Sequence, residues 1–335
     1  MPTPVAADRD NRPILQIKDL TLSFLTTRGR LKALRHIWLD IPQKRIVGLV
    51  GESGCGKSTV INAILNLLAE NARVESGAIE FKGRDILKMT PDELRRIRGD
   101  RISVVFQDPM TSLNPVLSIG RQMIDIQYRD SLGKADKRDR AARMLTRVGI
   151  PDAVKRLDHY PHQFSGGMRQ RVAIAMALMA RPDFLIADEP TTALDATLEI
   201  EIIDRLRDLH GDIGCSILFV SHHLGLVAEF CDEVVVMYAG ETVESGDVRD
   251  IFHRPAHPYT RALLECDPAR IREKTLTLPT IPGEIPDLVQ LSDQCIFTDR
   301  CPIKQNGCPL TVPPRREIEA GHFVRCHLSR KGGAP

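Results

Sequence analysis

A glycine-rich run that also carries a lysine and a hydroxyl residue lies at 51–58, with the sequence GESGCGKS. Glycine turns that bind nothing are common, but this one follows the apolar strand pattern IVGLV at 46–50 and opens a helical pattern, which favours a bound phosphate. Glycines let the backbone fold around an anion with its N–H groups inward, and a helix start adds roughly half a positive charge. We therefore predict an ATP-binding loop in which Lys57 neutralises the β and γ phosphates and Ser58 ligates Mg²⁺. Its predicted members are Gly51, Glu52, Ser53, Gly54, Cys55, Gly56, Lys57, Ser58 and Thr59.

Two adjacent carboxylates stand at the end of a second apolar stretch, in the sequence FLIADEP at 184–190. Asp188 is expected to hold Mg²⁺ through its water shell, and Glu189 to polarise the water that attacks the γ phosphate. By itself, an apolar strand that ends in Asp-Glu is more often structural. Together with the loop around Lys57, it predicts hydrolysis of a nucleoside triphosphate.

The segment FSGGMRQR at 164–171, ahead of the strand that ends at Asp188, resembles the signature motif of the ABC ATPase family. In that family Ser165, Gly166 and Gly167 would begin a helix and form a second anion-binding surface, which faces ATP held by a neighbouring molecule. The resemblance therefore implies that two such chains, or this chain and a paralogue, enclose two nucleotides. A capping serine before a solvated helix is the alternative for this segment alone.

Three shorter segments follow the order of the same family. The resemblance implies that Gln107, at the end of ISVVFQ, ligates Mg²⁺ and senses the γ phosphate. It implies that Asp195, in ALDA, crosses to the other subunit, and that His222, after SILFVS, is catalytic through its contact with the γ phosphate. One position departs from the family, because His223 stands where aspartate is usual.

An aromatic residue on the first strand is the candidate for stacking on adenine. Phe24, in the segment LTLSF, resembles the position at which ABC ATPases carry an aromatic side chain. The chain has four Tyr, one Trp and ten Phe, so there are few competitors. A core phenylalanine on a strand is an equal alternative.

Strand and helix patterns alternate along the chain. Alternating residues between Ile14 and Ile41 predict two strands with a turn near Thr26–Arg30. Apolar runs typical of strands buried on both faces of a mostly parallel sheet lie at 46–50, 102–106, 184–188, 216–221 and 234–238. Helical patterns lie at 57–70, 168–180 and 196–209, and a charged helical insertion lies at 118–150. The predicted fold class is α/β.

The family resemblance refines this fold class. It implies an ABC-type P-loop ATPase, with a RecA-like parallel-sheet core, an antiparallel β subdomain and a helical subdomain at about 115–182. The predicted ATPase domain covers 14–265, and a small Cys-rich C-terminal extension covers 266–335, after a change to proline-rich sequence. No internal repeat is found, so one cassette is expected.

Four segments resemble the oligopeptide and dipeptide branch of the family: QDPMTSLNP at 107–115, PHQFSGGMRQR at 161–171, HPYT at 257–260 and IPGEIPDL at 281–288. The resemblance implies an ATP-hydrolysing subunit of a peptide importer, peripheral on the cytoplasmic face of the plasma membrane. Its implied partners are two membrane-spanning permease subunits, a second ATPase subunit and, indirectly, a solute-binding protein. Import of nickel or another small solute is the near alternative. A soluble ABC clamp on DNA or the ribosome is the distant one, and a short helical insertion and a single cassette disfavour it.

The charge balance gives no bulk attraction to nucleic acid or anionic lipid, because 46 Lys and Arg face 44 Asp and Glu. The basic runs at 95–101 and 134–147 are interpreted as solvated helical faces, so no nucleic-acid partner is expected. Their neighbourhood resembles the surface that receives a permease helix in this family. The N-terminus lacks the pattern of a secretory signal, which predicts a cytosolic start. The longest apolar run, at 172–180, is about half of the roughly 20 residues needed to cross a bilayer.

Four of the eight cysteines crowd near the C-terminus, at Cys295, Cys301, Cys308 and Cys326. Their spacing differs from that of most zinc ribbons, and four thiolates suit either zinc or an iron–sulfur cluster. In relatives that keep all four, the resemblance implies a [4Fe-4S] cluster that staples a small appendage. Zinc or free thiols are the alternatives.

Overall fold

The computed structural model describes residues 12–108, 112–191, 196–268, 278–289 and 291–329. Its strands are β1 Leu15–Thr26, β2 Gly29–Ile41, β3 Ile46–Val50, β4 Ala72–Phe81, β5 Arg84–Asp85, β6 Ile102–Val105, β7 Phe184–Asp188, β8 Ser216–Val220, β9 Glu233–Tyr238, β10 Glu241–Asp247, β11 Arg316–Glu319 and β12 His322–Val324. Its α-helices are α1 Lys57–Ile64, α2 Pro91–Ile97, α3 Ile119–Asp125, α4 Lys134–Arg147, α5 Ala153–Arg156, α6 Gly166–Met179, α7 Ala196–Ile213, α8 Leu224–Phe230, α9 Val248–His253 and α10 Pro258–Glu265.

The larger sheet has the strand order β11-β12-β10-β9-β3-β8-β7-β6, and its pairs from β9 to β6 are parallel. β3 and β8 are buried along their whole length, as their continuous apolar runs predicted. Because parallel strands end at the same edge of a sheet, the segments after β3, β6, β7 and β8 converge there. The predicted α/β class is confirmed.

The smaller sheet is antiparallel, with the order β2-β1-β4-β5. The predicted hairpin between Ile14 and Ile41 is confirmed, since β1 pairs with β2 and Thr26 pairs with Gly29 at the turn. Its inner face shares one apolar core with the first helix and the larger sheet, through Leu22 and Leu34 on the strands and Ile61 on α1. This packing holds the β subdomain against the start of α1.

A group of helices, α3 to α6, lies between β6 and β7 in the chain, as the charged helical pattern predicted. The hydroxyl of Ser118 caps α3 by accepting the N–H of Arg121 over 3.3 Å. Met123, Leu145 and Leu178 are buried in the core that this group shares with the larger sheet. The helices are therefore packed onto the sheet and do not form a separate solvated arm.

The first helix is shorter than its pattern predicted, since α1 ends at Ile64 and not near residue 70. Asn66 adopts a left-handed conformation with φ 49°, which breaks the helix. The guanidinium of Arg98 donates to the carbonyls of Leu65 and Asn66 over 2.8 and 2.9 Å. These bonds satisfy carbonyls that the helix end leaves exposed.

Two strands near the C-terminus belong to the larger sheet. β12 pairs with β10 through Glu244 and Val324, and β11 pairs with β12. Residues 316–324 thus continue the sheet that carries the predicted ATP site. Within the described ranges, no helix combines the length and the apolar character needed to cross a bilayer.

Candidate nucleotide-binding site

A cavity of about 500 Å³ opens at the edge where the parallel strands end. Residues from four separate segments line it, and all of them were predicted site residues: Ser53, Gly54, Gly56, Lys57, Ser58, Thr59, Gln107, Glu189 and His222. The segments follow β3, β6, β7 and β8. The topology of the sheet therefore brings together side chains that lie far apart in the sequence.

The backbone of the loop needs glycine at two positions for different reasons. At Gly51, a Cβ atom would lie 2.1 Å from the carbonyl oxygen of Met237, so no side chain fits. Gly56 has φ 105°, a conformation that other residues rarely adopt, and it immediately precedes α1. The glycines thus bring the loop against the sheet and aim the start of α1 at the cavity.

Lys57 is the first residue of α1 and is buried. Its ammonium donates to the carbonyls of Gly51 and Glu52 over 2.8 and 3.2 Å. Cys55, inside the loop, is 1% exposed, and burial raises the pKa of its thiol. The loop therefore concentrates one buried positive charge beside the helix start.

Three predicted residues meet at one carboxylate oxygen. The amide nitrogen of Gln107 donates to Oε2 of Glu189 over 2.9 Å, and Nδ1 of His222 lies 3.4 Å from the same oxygen. Glu189 itself has φ 45°, and its N–H donates to the carbonyl of Val220 over 2.9 Å. The chain therefore turns sharply at the end of β7 and carries this carboxylate to the cavity.

Asp188 precedes Glu189 at the end of β7. Burial and, to a smaller extent, the charge of Glu189 raise its pKa to about 6, and Lys57 opposes both effects. Two adjacent carboxylates at a strand end are thus costly to ionise together, as is common at sites that bind cations.

Replacing Asp188 by asparagine is expected to stabilise the nucleotide-free protein at pH 7.5 while lowering ATP hydrolysis. A carboxyl whose pKa is raised by folding destabilises the native state as pH rises through that pKa, and asparagine has no charge to bury. The gain in melting temperature should shrink as pH falls from about 6 towards 4. Melting curves across this pH range, without nucleotide or metal, test the prediction. A lower melting temperature for the variant at pH 7.5 contradicts it.

The two adjacent histidines contact different carboxylates. His222 lies at Glu189, whereas Nδ1 of His223 lies 3.5 Å from Oε2 of Glu199 on α7. Glu199 also accepts the hydroxyl of Thr191 over 2.6 Å. His223 therefore joins the site to α7, an interaction that the sequence pattern did not predict.

Other predicted site residues lie apart from this cavity. Ser165 and Gly166 are exposed, Gly167 is buried, and the hydroxyl of Ser165 caps α6 by accepting the N–H of Met168 over 3.3 Å. Phe24 is half-buried and packs against the core of the smaller sheet. Asp195 lies outside the described residues.

Sequence reasoning missed three residues that contact Glu52 in the loop or support that contact. The carboxylate of Glu52 accepts two hydrogen bonds from Arg300, which also contacts the hydroxyl of Tyr238. The N–H of Glu52 donates to the hydroxyl of Tyr259 over 3.0 Å. Tyr259 lies in the HPYT segment, but no spacing indicated its contact.

The predicted [4Fe-4S] cluster is wrong. Among the described residues, which include all four C-terminal cysteines, no group of three or more His, Cys, Asp or Glu is placed to hold a metal ion. Cys295 and Cys308 are buried in the main apolar core, and Cys326 packs in a small cluster with Ile318. Burial raises the pKa of Cys295 to about 12, and the nearby Cys301, Cys308 and Cys326 also raise it. Packing against the larger sheet, and not a metal staple, holds this segment.

The chain matches two family descriptions. Residues 34–192 match the ABC transporter family, and residues 243–308 match the C-terminal region of oligopeptide/dipeptide transporters. The chain is 43% identical to the probable peptide ABC transporter ATP-binding protein y4tR of Sinorhizobium fredii, over 95% of this chain and 96% of that protein. It is also 43% identical to the oligopeptide transport ATP-binding protein OppD of Escherichia coli, over 93% of this chain and 92% of that protein.

A solved structure has the same architecture. The dimeric ATP-binding cassette MJ0796, bound to ADP and phosphate, aligns with a TM-score of 0.63 and 29% identity, over 70% of this chain and 99% of that one. The sequence similarity, the shared fold and the convergence of the loop, carboxylates and histidine described above all point to the same family. The chain therefore belongs to the ABC transporter family, as an ATP-hydrolysing subunit of its oligopeptide and dipeptide transport branch.

Proposed function

We propose that this chain binds and hydrolyses ATP in the cavity described above and couples that hydrolysis to the import of di- and oligopeptides. The observation that carries the proposal is the meeting of Gln107 and His222 at the carboxylate of Glu189, in the cavity that Lys57 also lines. A base, its two positioning groups and a phosphate-binding cation are the parts that hydrolysis of a γ phosphate requires.

In this proposal the loop around Lys57 cradles the phosphates with its backbone N–H groups and the start of α1. Ser58, Gln107 and Asp188 are the residues that would hold Mg²⁺. They offer a hydroxyl, an amide oxygen and a carboxylate, which are the oxygen ligands that this ion prefers, and the amide nitrogen of Gln107 is already engaged by Glu189. When bound, the ion would neutralise charge on the phosphates.

Glu189 is proposed as the group that accepts a proton from the attacking water. Gln107 and His222 hold one of its oxygens, so its other oxygen is oriented without a further change of rotamer. His222 also lines the cavity beside the loop, where a γ phosphate would lie. The same histidine is therefore proposed to sense whether that phosphate is present.

A second ATPase subunit is proposed to complete the site. Ser165, Gly166 and Gly167 begin α6 and do not line the cavity of their own chain, which supports a role against the nucleotide of a neighbour. The aligned cassette MJ0796 is a dimer. The proposal includes the implied crossing of Asp195 to the other subunit. Stacking of adenine on Phe24 stays a prediction, because packing alone accounts for its half-buried ring.

An apolar cleft of about 350 Å³ is proposed to receive a short helix of a membrane permease subunit. The cleft lies between β6 and α6. One of its lining residues, Phe106, directly precedes Gln107, so an occupant of the cleft would lie next to a residue of the proposed hydrolytic site. Its exposed apolar side chains include Leu67 and Phe106, at 51% and 46% exposure. Exposed apolar surface of this kind marks a protein contact, and it supports a peripheral position on the cytoplasmic face of the membrane.

Peptides are proposed as the cargo because the relatives that match over nearly the whole chain are named for peptide transport. Those relatives do not favour nickel import or a soluble clamp on nucleic acid. The proposed ATPase domain covers 14–265 and the proposed extension 266–335.

A cell strain that lacks the gene for this chain is expected to lose uptake of labelled di- and tripeptides and to regain it with the wild-type gene. The variant Leu67→Glu is expected to restore less than a tenth of that uptake, because a carboxylate in the apolar cleft opposes docking by an apolar helix. The purified variant should hydrolyse ATP like the wild type. The control Leu310→Glu changes an equally apolar side chain, 71% exposed, that does not line the cleft, and should restore uptake. Normal peptide uptake without the gene contradicts peptide import, and full uptake with Leu67→Glu contradicts docking in this cleft.

A further inference from the structure

The carboxylate of Glu52, the second residue of the phosphate loop, is held by an arginine from the C-terminal part of the chain. The terminal nitrogens of Arg300 donate to Oε2 and Oε1 of Glu52 over 2.8 and 3.1 Å. Two parallel bonds between a guanidinium and a carboxylate fix orientation as well as distance. The two residues are 248 positions apart, so folding of the whole chain creates this contact.

Arg300 is itself fixed by the surrounding chain. Its Nε donates to the carbonyl of Pro282 and a terminal nitrogen donates to the carbonyl of Ile281, both over 2.9 Å. Another bond reaches the hydroxyl of Tyr238 over 3.3 Å. With the two bonds to Glu52, these contacts use all five N–H donors of the guanidinium, and the side chain is 5% exposed. Moving it away from Glu52 would leave buried donors without acceptors, which is costly.

The backbone of Glu52 is held by the same packed unit. The hydroxyl of Tyr259 accepts its N–H over 3.0 Å. The ring of Tyr259 packs on Phe297 at 5.5 Å between centroids, and Phe297 packs on Tyr238 at 5.1 Å. Phe297 and Arg300 belong to one short turn, in which the N–H of Arg300 donates to the carbonyl of Phe297. This turn therefore carries Arg300, which holds the side chain of Glu52, and packs on Tyr259, which holds its backbone.

Glu52 in turn positions the charge that meets the phosphates. Its carbonyl accepts the N–H of Cys55 and the ammonium of Lys57, each over 3.2 Å. A displacement of Glu52 would move an acceptor that now holds Lys57. The chain of contacts thus runs from Arg300 through Glu52 to Lys57 without a break.

We propose that Arg300 is a positioning residue through which the C-terminal segment holds the phosphate loop in the arrangement that receives ATP. The proposal rests on the ATP site proposed above and adds a role for a segment outside that site. Without Arg300 the loop would populate several arrangements. Apparent affinity falls in proportion to the fraction of molecules that are competent to bind.

The variant Arg300→Met, in the full-length chain, is expected to bind ATP about tenfold more weakly. This factor corresponds to about one tenth of the molecules keeping the loop arrangement that binds ATP. KM for ATP should rise by a similar factor. kcat at saturating ATP should change by less than about twofold, because bound phosphates restore the arrangement of the loop. A fluorescent ATP analogue measures Kd, and steady-state kinetics separate KM from kcat. The control Arg316→Met removes an exposed arginine on β11 and should leave both values unchanged.

Glu52→Gln provides a second, independent variant, since it keeps Arg300 and the aromatic packing. It should weaken ATP binding in the same direction, and the double variant should be no weaker than Arg300→Met, because both changes remove one contact. Wild-type affinity in Arg300→Met overturns the proposal. If that variant loses its cooperative melting transition, wild-type affinity in Glu52→Gln overturns it instead. Failure of the wild type and of Arg316→Met to bind ATP would refute the ATP site itself and not this contact.

Discussion

Replacing Glu189 by glutamine is expected to abolish ATP turnover while ATP binding persists. The substitution keeps the size of the side chain and removes the carboxylate that is proposed to accept the proton of the attacking water. Loss of a positioned general base lowers kcat by about 10²–10⁴-fold. Because the phosphate loop is untouched, Kd for ATP should change by less than about threefold. The ATP-bound variant should also accumulate as a dimer, since hydrolysis no longer reopens it.

Phosphate release and equilibrium binding of a fluorescent ATP analogue measure these two effects separately, and size-exclusion chromatography measures the dimer. The matched control is Glu229→Gln, the same chemical change at an exposed position on α8. It should hydrolyse ATP like the wild type. Turnover of Glu189→Gln at the wild-type rate would remove Glu189 from its proposed role.

Replacing Lys57 by methionine is expected to weaken ATP binding and to lower hydrolysis further. Methionine keeps the apolar stem of this buried side chain and removes its only charge. A lost charge-assisted hydrogen bond of about 1.5–3 kcal/mol corresponds to about 10- to 100-fold weaker binding. Loss of a cation that stabilises charge in the transition state lowers kcat by a further factor of about 10²–10³.

The control for this change is Lys155→Met, at an exposed position on α5. Titration with a fluorescent ATP analogue, with and without Mg²⁺, gives Kd for both variants. The melting temperatures of the two proteins check that each is folded. Wild-type Kd in a folded Lys57→Met protein would contradict the assignment of the phosphate loop.

The two variants separate binding from chemistry within one cavity. Lys57 and Glu189 come from different segments, after β3 and β7, and both line the same 500 Å³. If they act as proposed, both variants lose turnover at saturating ATP, but only Lys57→Met also binds ATP more weakly. Arg300→Met should resemble a milder Lys57→Met with kcat preserved, because it acts on the loop and not on the reacting atoms.

Local patterns in the sequence predicted the residues at the centre of the candidate site. The strand at 46–50, the glycine loop and Lys57 form one uninterrupted segment, so their geometry depends on neighbouring residues. The same is true of the strand that ends at Asp188 and Glu189. Gln107 and His222 were assigned through the family resemblance, and the structure brings them to these segments because parallel strands that alternate with helices end at one edge of a sheet.

Those local patterns could not predict contacts between residues that are far apart in the sequence. The pairing of β12 with β10 depends on exposed strand edges meeting, and the bond between Arg300 and Glu52 joins positions 248 residues apart. Likewise, four clustered cysteines suggested a metal site, but the types of the ligands do not determine their geometry. The folded chain buries Cys295, Cys308 and Cys326 in apolar packing. The amino-acid sequence by itself determined the glycine loop, the paired carboxylates at the end of β7 and the α/β order that unites them, since each depends on neighbours in the chain. Only the tertiary structure decided how the C-terminal segment packs and that it holds Glu52, since burial and hydrogen bonding between distant residues arise only when the whole chain folds.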